Sequence, residues 1–209
     1  MIEQGSQEWL QQRLGKVTAS RIKDVMTTIK SGESAARRNY RAQLVAERLT
    51  NIAQDSYSNS AMQWGIDNEP IARAMYEIKT GLDVQIAPFV DHPSIAMTGA
   101  SPDGFVGDGL VEIKCPNTAT HIDYVLAGDA PSEYKLQMLW QMECTGKEWC
   151  DFVSYDPRMP QELQLFIVRY IRDDKKLNEV RDEVAKFIIS IDSMVKELKR
   201  MKDAKSKEV

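Results

Sequence analysis

Three charged residues, Asp103, Glu112 and Lys114, lie close together in a short stretch of the chain that reads SPDGFVGDGLVEIK. Glu112 and Lys114 are two positions apart in its β-branched second half, so on a strand both side chains point to one face. Ile113 then points to the other face, towards the core. Asp103 precedes a Gly-Asp-Gly turn signal, which predicts that it lies beside the neighbouring strand of a β-hairpin.

The register of this hairpin decides which residue Asp103 faces. A two-residue turn at 107–108 pairs Asp103 with Glu112, whereas a turn at 108–109 pairs it with Lys114. In both registers the three side chains share one face, and directly opposed Cβ atoms lie about 4.5–5.5 Å apart. That separation lets two carboxylates hold one cation. A three-residue loop would place Asp103 on the opposite face.

Two facing acids and a lysine suit a divalent metal ion, because facing carboxylates repel each other unless a cation lies between them. Oxygen ligands at a partly open site favour Mg²⁺ or Mn²⁺, which keep water ligands and recruit phosphate. A lysine beside the metal can polarise a water for attack on phosphorus, while the metal withdraws charge from the phosphodiester. These residues are the minimum set for metal-dependent phosphodiester hydrolysis.

The acid-x-Lys triplet alone is not specific, because the chain contains several others. They begin at Glu77, Glu133, Asp173, Asp174, Glu197 and Asp203. Only the triplet at Glu112 lies on a strand pattern and follows a second acid at hairpin distance. The alternative interpretation of this stretch is an exposed strand with an ordinary Glu/Lys pair and an aspartate in a turn.

The first 82 residues have helical patterns. Four helices are predicted: from a Ser6 cap to Leu14, from a Thr18 or Ser20 cap to Met26, from about Ser34 to Ile52, and from Ala61 to Thr80. Gly81 marks the end of the fourth helix. Pro70 predicts a break or a new first turn within it, near Asn68-Glu69.

Beyond residue 82 the pattern changes to short β-branched segments typical of a β-meander, followed by helices and two more strands. Strands are predicted at 84–90, 95–99, 110–115, 149–155 and 163–171, and helices at 120–126, 132–143 and 173–203. We expect one domain over 1–209, with a helical part at 1–82, a core at 83–172 and a C-terminal helix at 173–203. The order indicates an α/β fold with a mixed β-sheet flanked by helices.

Composition excludes several classes of protein. The 209 residues contain no apolar run long enough to span a bilayer, and the N-terminal segment lacks the basic start followed by an apolar stretch that is typical of a secretory leader. Three cysteines without CxxC spacing and two histidines do not favour a zinc site. We therefore expect a cytoplasmic protein with reduced thiols.

Charge is unevenly distributed along the chain. The net charge is −4, yet the first 50 residues contain nine Lys and Arg against five Asp and Glu. This asymmetry suggests a cationic surface on an otherwise acidic body, or a chance cluster. Arg37 and Arg41, on one stripe of the third predicted helix, are the candidate DNA contacts on that surface.

Several segments together resemble the lambda exonuclease (YqaJ viral recombinase) family of the PD-(D/E)xK nuclease superfamily, which includes phage and prophage alkaline exonucleases. These segments are Trp9 with Arg13-Leu-Gly, Thr18-Ala-Ser20, Trp64-Gly65 with Glu69, Thr98-Gly-Ala-Ser-Pro-Asp-Gly104, Glu112-Ile-Lys-Cys-Pro116, Tyr134 with Gln137, and Tyr155-Asp-Pro-Arg-Met159. The resemblance covers most of the chain. Its combination of segments is specific, although each one alone is not.

The resemblance implies roles for the residues at the predicted site. Asp103, Glu112 and the carbonyl of Ile113 would coordinate Mg²⁺, with Mn²⁺ as a possible substitute, and Lys114 would activate the attacking water. Glu69 is similar to the family's helical acid near the metal, and Gln137 to its site glutamine. The alternative for Gln137 and Gln141, which share a helical face, is a solvated pair.

The resemblance also implies a pocket for a DNA 5′-phosphate. Arg13, Ser20 and Ser101 match positions that bind this phosphate in such enzymes. Where the family has a phosphate-binding arginine after the Lys-Cys-Pro segment, this chain has Thr120 beside His121. Either the phosphate is held more weakly here or another cation takes the arginine's place.

The activity implied by the resemblance is Mg²⁺-dependent 5′→3′ degradation of double-stranded DNA from its ends. It would release 5′-mononucleotides and leave a 3′ single strand for annealing recombination. The family also implies a restriction-endonuclease-like sheet, a ring-shaped homotrimer, a phage single-strand annealing protein as partner, and the bacterial cytoplasm as location. The alternatives are a related endonuclease or junction resolvase, and a non-catalytic subunit that binds DNA ends.

Overall fold

The computed structural model describes residues 4–54 and 60–205. Short 3₁₀ turns at Ala19–Arg21 and Gln161–Leu163 interrupt the regular elements. The helices and strands are α1 Gln7–Arg13, β1 Val17–Thr18, α2 Ile22–Met26, α3 Ala35–Thr50, α4 Ser60–Thr80, β2 Val90–Asp91, β3 Thr98–Ala100, β4 Gly104–Val106, β5 Gly109–Lys114, α5 Thr118–Ala127, α6 Ser132–Thr145, β6 Trp149–Tyr155, β7 Leu165–Ile171 and α7 Asp174–Lys205.

The strands form two mixed sheets, not the single sheet expected from the sequence. In the smaller sheet, β3 lies between β1, which is parallel to it, and β2, which is antiparallel. The larger sheet has the order β4-β5-β6-β7, with β5 and β6 parallel and both edge pairs antiparallel. The predicted α/β class is confirmed. The predicted meander over 84–115 is wrong, because β2 and β3 belong to the smaller sheet whereas β4 and β5 belong to the larger one.

Two of the predicted helix features are wrong. Neither predicted cap begins the second helix: Thr18 makes no capping hydrogen bond, and α2 begins after Arg21. The backbone of Thr18 is used in β1, where its N–H donates to the Tyr40 hydroxyl. In α4 the helix continues through Pro70. The carbonyl that Pro70 leaves without a helical partner belongs to the exposed Ile66, where water can satisfy it.

The predicted strand at 84–90 is also largely absent. This segment makes an isolated bridge between Gln85 and Phe105 and reaches strand geometry only at β2. Pro88 lies within it and cannot donate to a ladder. By contrast, the serine caps of α1 and α3, Ser6 and Ser34, each accept a backbone N–H as a cap should.

The larger sheet carries a hydrophobic core on each face. On one face, α6 and α7 pack with Leu110 and Phe152 in a cluster that includes Trp140 and Phe187. On the other, Ala72 and Tyr76 of α4 pack against four strand residues, namely Val111, Ile113, Val153 and Tyr155. Alternation along β5 therefore sends Ile113 towards α4 and its neighbour Glu112 towards α6.

In the described part of the chain, no helix has the length and apolar character needed to cross a membrane.

Candidate active site

The β4–β5 hairpin adopts the first of the two registers considered above. Gly104 pairs with Val111 and Val106 with Gly109, which leaves a two-residue turn at 107–108. Asp103 precedes β4 by one residue and so comes opposite Glu112. Its Oδ2 accepts a hydrogen bond from the backbone N–H of Ile113 at 2.7 Å. The hairpin therefore brings the two acids together, as the sequence predicted.

Glu112 is the centre of a hydrogen-bond cluster and is fully buried. Its Oε1 accepts from the ammonium of Lys114 and, at 2.5 Å, from Nε2 of Gln137. Its Oε2 accepts from Nε2 of Gln141 at 2.6 Å. The Lys114 ammonium also lies 5.3 Å from the centre of the Tyr134 ring. Helix α6 thus supplies the donors that stabilise a buried carboxylate on β5.

The electrostatics of the cluster are those of an anionic site. Burial raises the pKa of Asp103, and the nearby carboxylate of Glu112 raises it further. Burial alone would lower the pKa of Lys114, but the charges of Glu112 and Asp103 outweigh it, so that the pKa is raised. Two carboxylates share one ammonium, and additional positive charge between them would relieve their repulsion.

The donor set fits a divalent cation that retains water. Within residues 4–54 and 60–205, no three His, Cys, Asp or Glu side chains are placed to hold a metal together. Two side-chain carboxylates, from Asp103 and Glu112, are available, with the carbonyl of Ile113 as a third oxygen. Mg²⁺ is commonly bound through one or two carboxylates plus waters and substrate phosphate, so this limited set suits it.

A cavity of about 1020 Å³ opens beside Asp103. Glu69 of α4 also lines it, and its charge contributes to the raised pKa of Asp103. Glu69 itself accepts a hydrogen bond from Arg73 at 2.6 Å. Arg13 and Ser20 line the same cavity. The cavity thus groups Asp103 and Glu69 with two of the predicted phosphate-binding residues.

Arg13 and Ser101 form a polar cluster with Trp9. The Trp9 indole N–H and the Arg13 guanidinium both donate to the Ser101 hydroxyl oxygen, at 3.1 and 3.3 Å. The guanidinium lies 4.0 Å from the centre of the Trp9 ring. Burial lowers the pKa of Arg13 to about 10, so it remains protonated at neutral pH. Across 4–54 and 60–205, no carboxylate forms an ion pair with it, so a bound anion would be stabilised here.

Other predicted residues lie outside this cavity. The guanidinium of Arg37 pairs with Glu33 and Glu183, and that of Arg41 pairs with Glu33. At the position of the family's arginine, the Thr120 N–H completes the N-terminal cap of α5. The neighbouring His121 is buried, with its ring nitrogens at hydrogen-bond distance from the Ser154 hydroxyl and the Leu163 carbonyl.

Gln141 is the site residue that sequence reasoning missed. Its interpretation as a solvated residue is wrong, since it is fully buried against Glu112. Gln137 is half-buried and contacts the same carboxylate. The available signal was the four-residue spacing of the two glutamines, which places both amides on one face of a helix. Which strand that face meets depends on the tertiary fold.

An α/β fold in which two acids and a lysine meet beside a cationic pocket defines a class of nuclease. Residues 8–148 match the family described as the YqaJ-like viral recombinase domain, and the chain belongs to this family. It is therefore a DNA-hydrolysing nuclease of the exonuclease type, and nucleases of this family generally use a divalent metal. No curated protein matches the chain.

Solved structures with the same fold include two of an alkaline exonuclease, LHK-Exo, from Laribacter hongkongensis. In one of them LHK-Exo is in complex with dAMP. Its chain is 51% identical to this one, with a TM-score of 0.90, and the match covers 96% of this chain and 99% of that chain. The second is 50% identical with a TM-score of 0.89 over the same shares. A phage-related exonuclease from Haemophilus somnus 129PT is 16% identical, with a TM-score of 0.70 over 88% and 96% of the two chains, and shares the fold.

Proposed function

We propose that this protein is a Mg²⁺-dependent 5′→3′ exonuclease that degrades double-stranded DNA from its ends. It releases 5′-mononucleotides and leaves a 3′ single strand for annealing recombination. The observation that carries the proposal is the convergence of Asp103, Glu112 and Lys114 beside a cavity that also contains Arg13. The two acids and the lysine suit phosphodiester hydrolysis, and the nearby guanidinium of Arg13 suits binding of a terminal phosphate.

The residues of the metal site have distinct roles in this proposal. Asp103, Glu112 and the carbonyl of Ile113 would hold Mg²⁺, which as a Lewis acid withdraws charge from the scissile phosphodiester. Lys114 lies against Glu112, where its ammonium would orient the attacking water. If a bound cation lowers the pKa of Lys114 so that it releases a proton, the neutral amine could then accept a proton from that water. Gln137, half-buried on the same carboxylate, is available to the phosphate, and Glu69 faces the site from α4.

Arg13, Ser101 and Ser20 would bind the terminal 5′-phosphate. Ser101 accepts hydrogen bonds from both Trp9 and Arg13, so its own hydroxyl proton is free to be donated to a phosphate oxygen. The guanidinium of Arg13 supplies charge to that phosphate. Ser101 precedes Asp103 by two residues, so a phosphate held here lies next to the metal site. Binding of the 5′ end at this point gives 5′→3′ polarity.

Two further observations support an end-degrading activity. LHK-Exo, which is 51% identical, forms a complex with dAMP, a mononucleotide of the kind that the proposal expects as product. Arg13 and Asp103 line one and the same cavity, so a terminal phosphate and the metal site would be adjacent. As the family resemblance suggests, we extend the proposal to a ring-shaped homotrimer that encloses DNA, with a phage annealing protein as partner, acting in the bacterial cytoplasm.

A linear duplex with one labelled strand tests both polarity and product. With Mg²⁺ and a 5′-phosphorylated end, we expect labelled mononucleotides from the 5′ end and an intact 3′ strand. Chelator should stop the reaction, and Lys114→Ala should slow it by about 10²–10⁴-fold, the usual contribution of a positioned proton-transfer group. Release from the 3′ end, nicking of closed circles, or full activity of Lys114→Ala would contradict the proposal.

A further inference from the structure

Gln141 and Gln137 hold opposite oxygens of a single carboxylate. Gln141 donates to Oε2 of Glu112 at 2.6 Å, whereas Gln137, one helical turn earlier, donates to Oε1 at 2.5 Å. Hydrogen bonds to an ionised acceptor are stronger than those between neutral groups. With one amide on each oxygen, the carboxylate cannot rotate about its last bond without breaking one of these bonds.

The two glutamines differ in their access to substrate. Gln137 is half-buried, and the side chain of Lys114 is 26% exposed to solvent. Gln141 has no exposed surface, does not line the cavity, and donates to the Oε2 atom of Glu112. A phosphate or an attacking water that reaches Lys114 therefore does not reach Gln141. Any effect of Gln141 on catalysis acts through the carboxylate of Glu112.

The amide orientation of Gln141 is fixed by Glu112. Rotating the amide by half a turn would put its oxygen against a carboxylate oxygen, and two acceptors repel. The Oε1 atom of Gln141 is buried and has no hydrogen-bond partner among the described residues. Besides Glu112, its Nε2 atom has a long contact of 3.5 Å with the carbonyl of Ser101. Burying an amide oxygen without a partner destabilises a fold. The hydrogen bond to Glu112 offsets part of the cost of burying this amide.

Hydrogen bonds and core packing fix the rotation of helix α6 about its axis, and with it the position of Gln141. The next residue towards the N-terminus, Trp140, donates its indole N–H to the Thr98 hydroxyl at 3.0 Å, and Thr98 donates in turn to the carbonyl of Val17 at 2.7 Å. Met138 and Met142, on either side, are fully buried. Rotation of the helix about its axis would break this chain of hydrogen bonds and disturb the core.

We infer that Gln141 is a positioning residue for metal binding, which holds the Glu112 carboxylate in the orientation that a divalent cation requires. The inference rests on the proposed function, because it concerns the same metal site. Without the Gln141 amide, Oε2 loses its donor and the carboxylate gains rotational freedom. Metal affinity falls, while the surface that contacts DNA is unchanged.

Calorimetric titration of the full chain with Mn²⁺, in the absence of DNA, measures this directly. Gln141→Met removes the donor and nearly preserves volume, and we expect it to raise the dissociation constant by about 10–100-fold, as for other groups that orient a metal ligand. The Mg²⁺ concentration for half-maximal DNA degradation should rise in proportion, with KM for DNA unchanged. Gln164→Met is the control: the Gln164 side-chain amide donates to the Pro157 and Met159 carbonyls, so its loss should leave Mn²⁺ affinity unchanged.

Gln141→Asn provides a second variant in case the first does not fold. It keeps the amide but shortens the side chain by one methylene, so it should also lose affinity for Mn²⁺. Unchanged Mn²⁺ affinity in a folded Gln141 variant would overturn the role of Gln141 and leave the proposed function standing. A wild-type protein that binds no Mn²⁺ and degrades no DNA would instead contradict the proposed function, and this inference with it.

Discussion

The carboxylate of Asp103 accepts the backbone N–H of Ile113, the residue that separates Glu112 from Lys114, at 2.7 Å. This hydrogen bond ties the acid at the start of the hairpin to the middle of the strand that carries the other two charged groups. It also fixes Asp103 in a buried position next to a second carboxylate. The predictions for the metal-free protein follow from this arrangement.

Asp103→Asn should stabilise the metal-free protein while abolishing DNA degradation. Because the folded-state pKa of Asp103 is raised, its stabilising contribution is present at low pH and is lost as the pH rises through that pKa. The asparagine keeps an acceptor for Ile113 but carries no charge. In chelator at neutral pH we expect a melting temperature a few degrees higher, given about 2–4 °C per kcal/mol at this size.

Melting curves with and without Mg²⁺ check this prediction over a range of pH. The advantage of Asp103→Asn should shrink as the pH falls, and Mg²⁺ should stabilise the wild-type protein more than the variant. A variant that melts below the wild type in chelator at neutral pH would show that the charge of Asp103 does not destabilise the metal-free fold.

Arg13→Ala and Ser101→Ala should each reduce the preference for 5′-phosphorylated ends. A hydrogen bond to a charged group contributes about 1.5–3 kcal/mol, which corresponds to a loss of about 10–100-fold in rate on these ends. Ends with a 5′-hydroxyl serve as the internal control, because they lack the group that Arg13 would bind. Equal losses on both kinds of end would place these residues outside phosphate recognition.

Arg37 and Arg41 lie away from the cavity, and their proposed contact with DNA has a direct test. Replacing both with alanine should weaken binding measured in Ca²⁺ and reduce the slope of log affinity against log salt by about 1 per lost phosphate contact. Glu33→Ala is the matched variant, because it removes the carboxylate that both arginines share and should strengthen binding. Unchanged affinity and slope in both variants would mean that these arginines serve only their ion pairs.

Two glycines should respond oppositely to alanine. A Cβ at Gly99 would lie 2.6 Å from the carbonyl oxygen of Val90 and 2.4 Å from the ring of Phe89, so Gly99→Ala should destabilise the protein by about 1–3 kcal/mol. At Gly65, inside α4, a Cβ would meet no atom within 4 Å among the described residues outside the helix's own backbone and the adjacent residues, so Gly65→Ala should stabilise by about 0.5–1 kcal/mol. Urea unfolding measures both, and a neutral Gly99→Ala would show that β2 and β3 can move apart.

The parts of the fold that the sequence predicted are those set by local pattern. The strand at 149–155 and the long helix with its buried stripe, including Leu177 and Phe187, match the structure closely because alternation and helical periodicity are strong there. The meeting of Asp103 with Glu112 was also predictable, since a tight turn leaves few registers.

The parts that could not be predicted depend on contacts between distant segments. The pairing of Val17 with Thr98 creates the smaller sheet, and a two-residue strand has no periodicity of its own. The burial of Gln141 depends on how α6 lies across β5. Its sequence neighbourhood, with Trp140 and Met142 buried on other sides of the same helix, offers no clean amphipathic stripe to indicate which face is covered.

The central claim, that Asp103 and Glu112 share a divalent cation, is tested most directly by anomalous diffraction from crystals grown with Mn²⁺. The account predicts an anomalous peak bounded by both carboxylates and the carbonyl of Ile113, with Lys114 beside it, and loss of the peak in Asp103→Asn. A peak elsewhere in the molecule, or two carboxylates with no ion between them at saturating Mn²⁺, would contradict it.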